Sequence, residues 1–174
     1  MAVDGVHVGS SARAAGDVVI NAPRVDERAV RAALADVSDP EIPAISILDL
    51  GIVHRVDVPA TGPIHVELLP TFVGCPAIEM IRSGVADRLA TFGRPVEVEV
   101  TFETPWTSER ITPAGREALR RSGFAPPTAG DADVACPYCE SGHVAMDSAF
   151  GPTLCRALYY CRDCRQPFEA FKAV

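Results

Sequence analysis

The sequence predicts an α+β fold: a small α-β-β-α-β-α sandwich followed by a separate, cysteine-stapled mini-domain. Three observations carry this prediction. Ile64, Val66 and Leu68 alternate with His65 and Glu67, and Val96, Val98, Val100 and Phe102 alternate with Glu97, Glu99, Thr101 and Glu103. Alternation with a period of two marks half-buried strands. Between these strands Ile78, Ile81, Val85 and Leu89 recur at helical spacing. Finally, Cys136-Pro137-Tyr138-Cys139 and Cys161-Arg162-Asp163-Cys164 form two CxxC knuckles with 21 residues between them. That spacing is the four-thiolate pattern of a zinc site.

Composition narrows the function classes. The chain has 174 residues, 48% of them hydrophobic and 22% charged, enough to bury a core. Its formal net charge is −7. From Val134 to Val174 four basic residues balance four acidic ones, so the front of the chain carries the whole excess. Binding nucleic acid by counterion release needs clustered Lys and Arg, so no nucleic-acid partner is expected. No segment approaches the roughly 20 apolar residues that span a bilayer. The stretch Met1–Pro23 lacks the basic and apolar regions of a signal peptide and reads as a disordered arm. The expectation is a cytoplasmic protein with no membrane partner, in which reduced thiols favour metal over disulfide.

The elements follow in order. Asp26 is placed to cap a helix running to about Val37, with Val30, Leu34 and Val37 on its packing face. Asp39-Pro40-Glu41-Ile42-Pro43 forbids its continuation, because proline disfavours helical geometry in the residue before it. Ile52–Val58 reads as a strand, Pro59–Pro63 as a turn, and Ile64–Leu68 as the strand that delivers the chain to Pro70–Ala77. A helix is expected from Pro76 to about Phe92, with Gly93 just past its end. After the acidic-faced strand, Thr104–Thr107 breaks the pattern, and a short helix from Pro113, capped by Thr112, ends at Ser122-Gly123. Residues 24–124 form the front domain, 125–134 a proline-rich linker and 135–174 the ribbon.

Cys75 stands apart from the other five cysteines, at the mouth of the second helix. Unpaired N–H groups and the helix dipole favour an anion there, and such a setting lowers a thiol pKa from about 8.5 into the 3.5–7.5 range. Two readings stand side by side: a nucleophile or soft metal ligand, and a buried structural cysteine. The carboxylates of Asp39, Glu41 and Asp49 lie in loops that can converge on Cys75 and are candidate co-ligands. His54 and His65 carry no local signature of a general base, so no catalytic residue is assigned.

The last forty residues cannot bury enough apolar surface to fold alone, and a metal held by Cys136, Cys139, Cys161 and Cys164 would contribute the folding free energy. Structural zinc is the leading reading, with rubredoxin-like iron or a labile cluster the alternative, since four cysteines do not choose the metal. His143–Tyr160 is expected to form a hairpin turning at Phe150-Gly151-Pro152, and Gln166–Lys172 a third strand. His143 has no matching partner and is not expected to be a ligand. Cys155 reads as a core residue, with a second reactive thiol as the alternative.

On Asp39-Pro40-Glu41, Asp49-Leu50-Gly51-Ile52-Val53 and Cys75-Pro76, the front domain resembles the SufT/Cia-type cluster-assembly family. That resemblance implies a role in iron–sulfur cluster assembly, with Cys75 as the functional thiol. The chain over about residues 26–172 also resembles the PaaD-type subunits of the bacterial phenylacetyl-CoA 1,2-epoxidase system. The matching residues are Pro70–Ala77, Thr104-Pro105-Trp106-Thr107, Gly123-Phe124-Ala125-Pro126-Pro127 and Phe150-Gly151-Pro152-Thr153-Leu154-Cys155. The resemblance implies phenylacetate catabolism, with the oxygenase and reductase subunits as partners. The chain has neither the Glu and Glu-x-x-His helices of a di-iron bundle nor a Gly-rich nucleotide loop. It is therefore expected to be an accessory or maturation factor, with iron or an iron–sulfur cluster held transiently at Cys75. A non-catalytic structural subunit is the alternative.

Overall fold

A computed structural model describes residues 25–128 and 134–173. The expected N-terminal arm and the middle of the expected linker lie outside these residues. Helix α1 (Glu27–Leu34) begins where the Asp26 carboxylate accepts the Ala29 N–H at 2.8 Å, and it buries Val30, Ala33 and Leu34. Strands β1 (Val53–Asp57) and β2 (Ile64–Leu68) pair antiparallel, and β3 (Val96–Val100) pairs parallel with β2 through the crossover helix α2 (Ile78–Ala90). Because β2 and β3 are parallel, their C-terminal ends lie at the same edge of the sheet, where the Cys75 loop begins. Helix α3 (Pro113–Arg121) starts at Thr112, whose hydroxyl accepts the Gly115 N–H at 3.0 Å.

One apolar cluster fills the front domain. Leu34, Ile45, Ile47, Leu50, Ile64, Leu68, Leu69, Ile81, Leu89 and Leu119 are its largest fully buried side chains. Trp106, in the segment predicted to break the strand pattern, is buried and donates its Nε1–H to the Leu50 carbonyl at 3.0 Å. The turn before β1 needs Gly51: its φ is +72°, and a Cβ there would come within 2.5 Å of the Arg110 carbonyl oxygen. The acidic face of the sheet is laced rather than bare, with Arg55 paired to Glu67 and His65 Nδ1 3.0 Å from Glu97.

The ribbon is a four-stranded sheet in the order β4 (Phe124–Ala125), β7 (Pro167–Phe171), β6 (Arg156–Cys161), β5 (Val144–Ser148). Strands β5 (Val144–Ser148), β6 (Arg156–Cys161) and β7 (Pro167–Phe171) realise the predicted hairpin and third strand. Strand β4 (Phe124–Ala125) is unforeseen. It pairs parallel with β7, and Ala125, counted with the linker in the sequence, is buried in the ribbon core. The two modules also share a core. Phe171 of β7 is buried in the front-domain cluster, with its ring centroid 5.9 Å from that of Trp106. Among the described residues no helix is long and apolar enough to cross a membrane.

Candidate metal centre and thiol site

The two knuckles close on each other. Cys136 Sγ lies 3.6 Å from Cys164 Sγ, Cys139 Sγ lies 3.6 Å from Cys161 Sγ, and all four sulfurs fall within 4.8 Å of one another. A tetrahedral ion with metal–sulfur bonds of about 2.3 Å needs sulfurs roughly 3.8 Å apart, so the cage has the size for zinc. Each knuckle ends in a residue with left-handed backbone, Glu140 and Arg165, both at φ 61°, which turns the chain back around the sulfurs. The N–H groups of Cys164 and Asp163 point at Cys161 Sγ and hold its thiol down to about 7, while burial and the neighbouring sulfurs push Cys164 up to about 12, so the protons are shared unevenly among the four sulfurs that a metal would displace them from. His143 pairs with Asp163 at 3.0 Å and is not among the four grouped ligand residues. When zinc is bound, its place is this closed four-sulfur site, and its contribution is to fix the ribbon.

Cys75 occupies a different environment. After β2 the chain turns through Gly74 at φ +80°, and the Cys75 N–H donates to the Phe72 carbonyl at 3.1 Å. The helix begins later than expected. Its N-cap is Ala77, which places Pro76 ahead of the helix and Cys75 two residues before the cap. The Ala77 N–H points at the thiol and favours the thiolate, as the helix-mouth argument requires. Burial outweighs it. The half-buried thiol is raised above its ordinary value of 9.0, first by loss of water and then by the neighbouring Cys155, Asp39 and Glu41 charges. The expectation of a depressed thiol pKa is therefore corrected: the one N–H that reaches the thiol is a smaller effect here than desolvation.

The three candidate carboxylates part company. Asp39 is only 9% exposed, and its Oδ1 accepts the N–H groups of Glu41 and Ile42 at 2.8 and 3.0 Å. Burial raises its pKa despite those bonds. Glu41 forms a 2.6 Å ion pair with Arg156 of the ribbon. Asp49 has a structural task. Ser46 donates to its Oδ2 at 2.9 Å and Thr112 to its Oδ1 at 2.7 Å, fastening the β1 approach to the start of α3. The charges of Asp39 and Glu41 reach Cys75 and add to the rise of its thiol, while both oxygens of Asp49 are engaged in holding two elements together.

Sequence reasoning missed Arg156. This residue is nearly buried, with an exposure of 8%, and its guanidinium binds Glu41, Glu169 at 2.8 Å and the Thr153 hydroxyl at 2.9 Å while lying 5.2 Å above the Phe124 ring. Glu41 and Arg156 are 115 positions apart, and nothing local in the sequence marks them as partners.

Fold and site together define a two-part protein: an α+β domain presenting one loop cysteine, fused to a four-cysteine ribbon. Comparison with known proteins agrees on both parts. Residues 27–102 match the iron–sulfur cluster assembly protein family, and residues 123–172 match the PaaD zinc beta ribbon domain. The chain belongs to the PaaD family. It is 38% identical over 159 residues to one component of the "Putative 1,2-phenylacetyl-CoA epoxidase" of Escherichia coli, covering 87% of this chain and 94% of that one. The front domain alone is 33% identical to an Fe-S protein maturation auxiliary factor of Porphyromonas gingivalis, over 52% of this chain and 85% of the relative. It also superimposes on a domain of unknown function, DUF59, from Bacillus anthracis, with TM-score 0.50 and 31% identity over 53% of this chain and 90% of that one.

Proposed function

We propose that the protein is an accessory maturation component of a phenylacetyl-CoA 1,2-epoxidase system, assisting iron or iron–sulfur assembly in the oxygenase or the reductase. Cys75 is the thiol that holds the cargo, and the ribbon docks the client. The observation that carries this reading is the setting of Cys75: half-buried on a glycine-turned loop, beside Asp39 and Glu41, outside the structural metal cage. The similarity of this domain to Fe-S maturation factors supports it. So does the similarity of the whole chain to an epoxidase component.

The raised thiol pKa bears on which of the two functional roles of Cys75 is favoured. A nucleophile needs the free thiolate at neutral pH, and this environment disfavours it. A ligand does not. The empty thiol stays protonated, a thiophilic cation displaces the proton, and the carboxylates that oppose a bare thiolate attract the cation. Cytoplasmic location accompanies this reading, because such cargo requires reduced thiols.

The test is co-production with the oxygenase and reductase under anaerobic conditions, followed by iron and acid-labile sulfide analysis of those partners. Cys75→Ser should keep the fold and one zinc per chain yet lower partner iron. Full iron loading alongside that variant would sink the proposal. The near full-length similarity to an epoxidase component favours a second reading, a structural member of the complex without thiol chemistry. Stable co-purification with the oxygenase and full epoxidase activity of Cys75→Ala would support it instead.

A further inference from the structure

Where the end of α3 meets the ribbon there is a cavity of about 450 Å³, within the range of about 300–1,000 Å³ of cavities that take ligands. All three tyrosines of the chain line it, together with Phe124 and Leu158. Tyr138, between the cysteines of the first knuckle, and Tyr160, near the end of β6, are 57% and 41% exposed. The wall they form depends on a glycine. Gly123 lies past the end of α3 at φ +84°, and a Cβ there would come within 2.8 Å of the Tyr138 hydroxyl oxygen.

The charges that line this cavity are of one sign. Asp147 and Glu169 belong to its walls, and among the described residues no lysine, arginine or histidine does. Glu169 is already paired: Arg156 binds it at 2.8 Å while lying 5.2 Å over the Phe124 ring. Two lining residues thus already receive a guanidinium, one through an aromatic face and one through a carboxylate. Asp147 has no such partner among the described residues. The pairing of β5 with β6 leaves it out, since Met146 pairs with Tyr159 and Ser148 with Leu158. A bulge of this kind releases the side chain from the strand's alternation and re-aims it.

We propose that this cavity is the ribbon's docking pocket for an arginine side chain presented by a partner protein, with the guanidinium against the Tyr138 and Tyr160 rings and bonded to Asp147. The site deepens the docking role proposed for the ribbon and rests on that reading. Arginine suits the walls because its planar cation stacks on aromatic faces and forks onto a carboxylate. An anion would meet two carboxylates. A neutral apolar group would cover the rings and leave Asp147 stripped of water without a partner. Arginine and tyrosine are also the residues on which binding energy concentrates at protein interfaces.

The test titrates N-acetyl-arginine methylamide, capped at both ends so that only its side chain is offered, into zinc-replete full-length protein followed by amide NMR. The citrulline analogue serves as the neutral probe of the same shape. Amide resonances of Tyr138, Asp147 and Tyr160 should shift saturably with the arginine probe, and the citrulline probe should bind about tenfold more weakly, the size of one charge-assisted hydrogen bond. Asp147→Asn should weaken the arginine probe by the same factor with zinc content unchanged. If that variant disturbs the ribbon spectrum, Asp147→Ser takes its place. No saturable shift, equal binding of the two probes, unchanged binding by the Asp147 variant, or shifts confined to the acidic sheet face around Glu97 and Glu99 would each overturn the proposal. Because no iron is involved, the two readings fail separately. No arginine binding with lowered partner iron in Cys75→Ser sinks only the pocket, whereas saturable binding with full partner iron in Cys75→Ser sinks only the cargo reading.

Discussion

The ribbon and the front domain treat cysteine in opposite ways. In the ribbon four sulfurs face one another, with 3.6 Å between the closest pairs, and N–H groups point at Cys161. Every coordination position of a tetrahedral ion is filled by protein, the mark of a structural site. In the front domain Cys75 stands outside the four-sulfur cage, and burial, the charges of Asp39 and Glu41 and a single N–H set the state of its thiol. A closed cage retains a metal; an incomplete ligand set beside negative charge suits a cargo that must leave. On the proposed function, the contrast separates fastening from handling within one short chain.

Removing zinc attacks the comparison most strongly. Cys161→Ser should abolish the bound zinc, one per chain by metal analysis, and expose the amides of β5, β6 and β7 to hydrogen exchange. Structural zinc sites contribute on the order of 10 kcal/mol of apparent folding free energy. If the modules were independent, α1 and α2 would keep their full protection. Because Phe171 is buried in the front-domain cluster against Trp106, they should lose part of it.

Phe171→Ala sharpens the same point with a smaller effect. Truncating a buried aromatic costs about 3–5 kcal/mol. The loss should appear in urea unfolding followed by Trp106 fluorescence, with zinc still bound. An unchanged Trp106 transition would mean that the ribbon merely leans on the front domain.

The smallest effect is the pH dependence of Cys75. Its folded pKa lies above the ordinary 9.0, so the unfolded chain loses this proton first and the folded state binds more protons in between. Stability therefore falls as pH rises from the unfolded pKa toward the folded one. Iodoacetamide should modify Cys75 more slowly near pH 8 than a free cysteine, with the rate climbing beyond pH 9. Cys75→Ser should flatten the alkaline decline in stability. A Cys75 reaction already at its plateau near pH 7 would restore the nucleophile reading.

Features that depend on near neighbours in sequence were legible. Asp26 and Thr112 cap their helices because a cap bonds an N–H three residues on. The knuckles declare themselves by spacing, since both sulfurs of each pair come from one turn. Strand β4 was not legible, because two residues followed by Pro126-Pro127 look like linker until β7 pairs with them. Arg156 was hidden for the same reason, as its partner Glu41 is brought to it only by the packing of one module on the other.

The sequence by itself determined the α+β class, the two modules, the four-sulfur cage and the isolation of Cys75, because each is written in local period, spacing or punctuation. Only the tertiary structure decided the electrostatic state of that thiol, the separate employment of Asp49, and the arrival of Arg156 from the ribbon at Glu41. Those are set by burial and long-range contact. Neither quantity exists until the chain has folded.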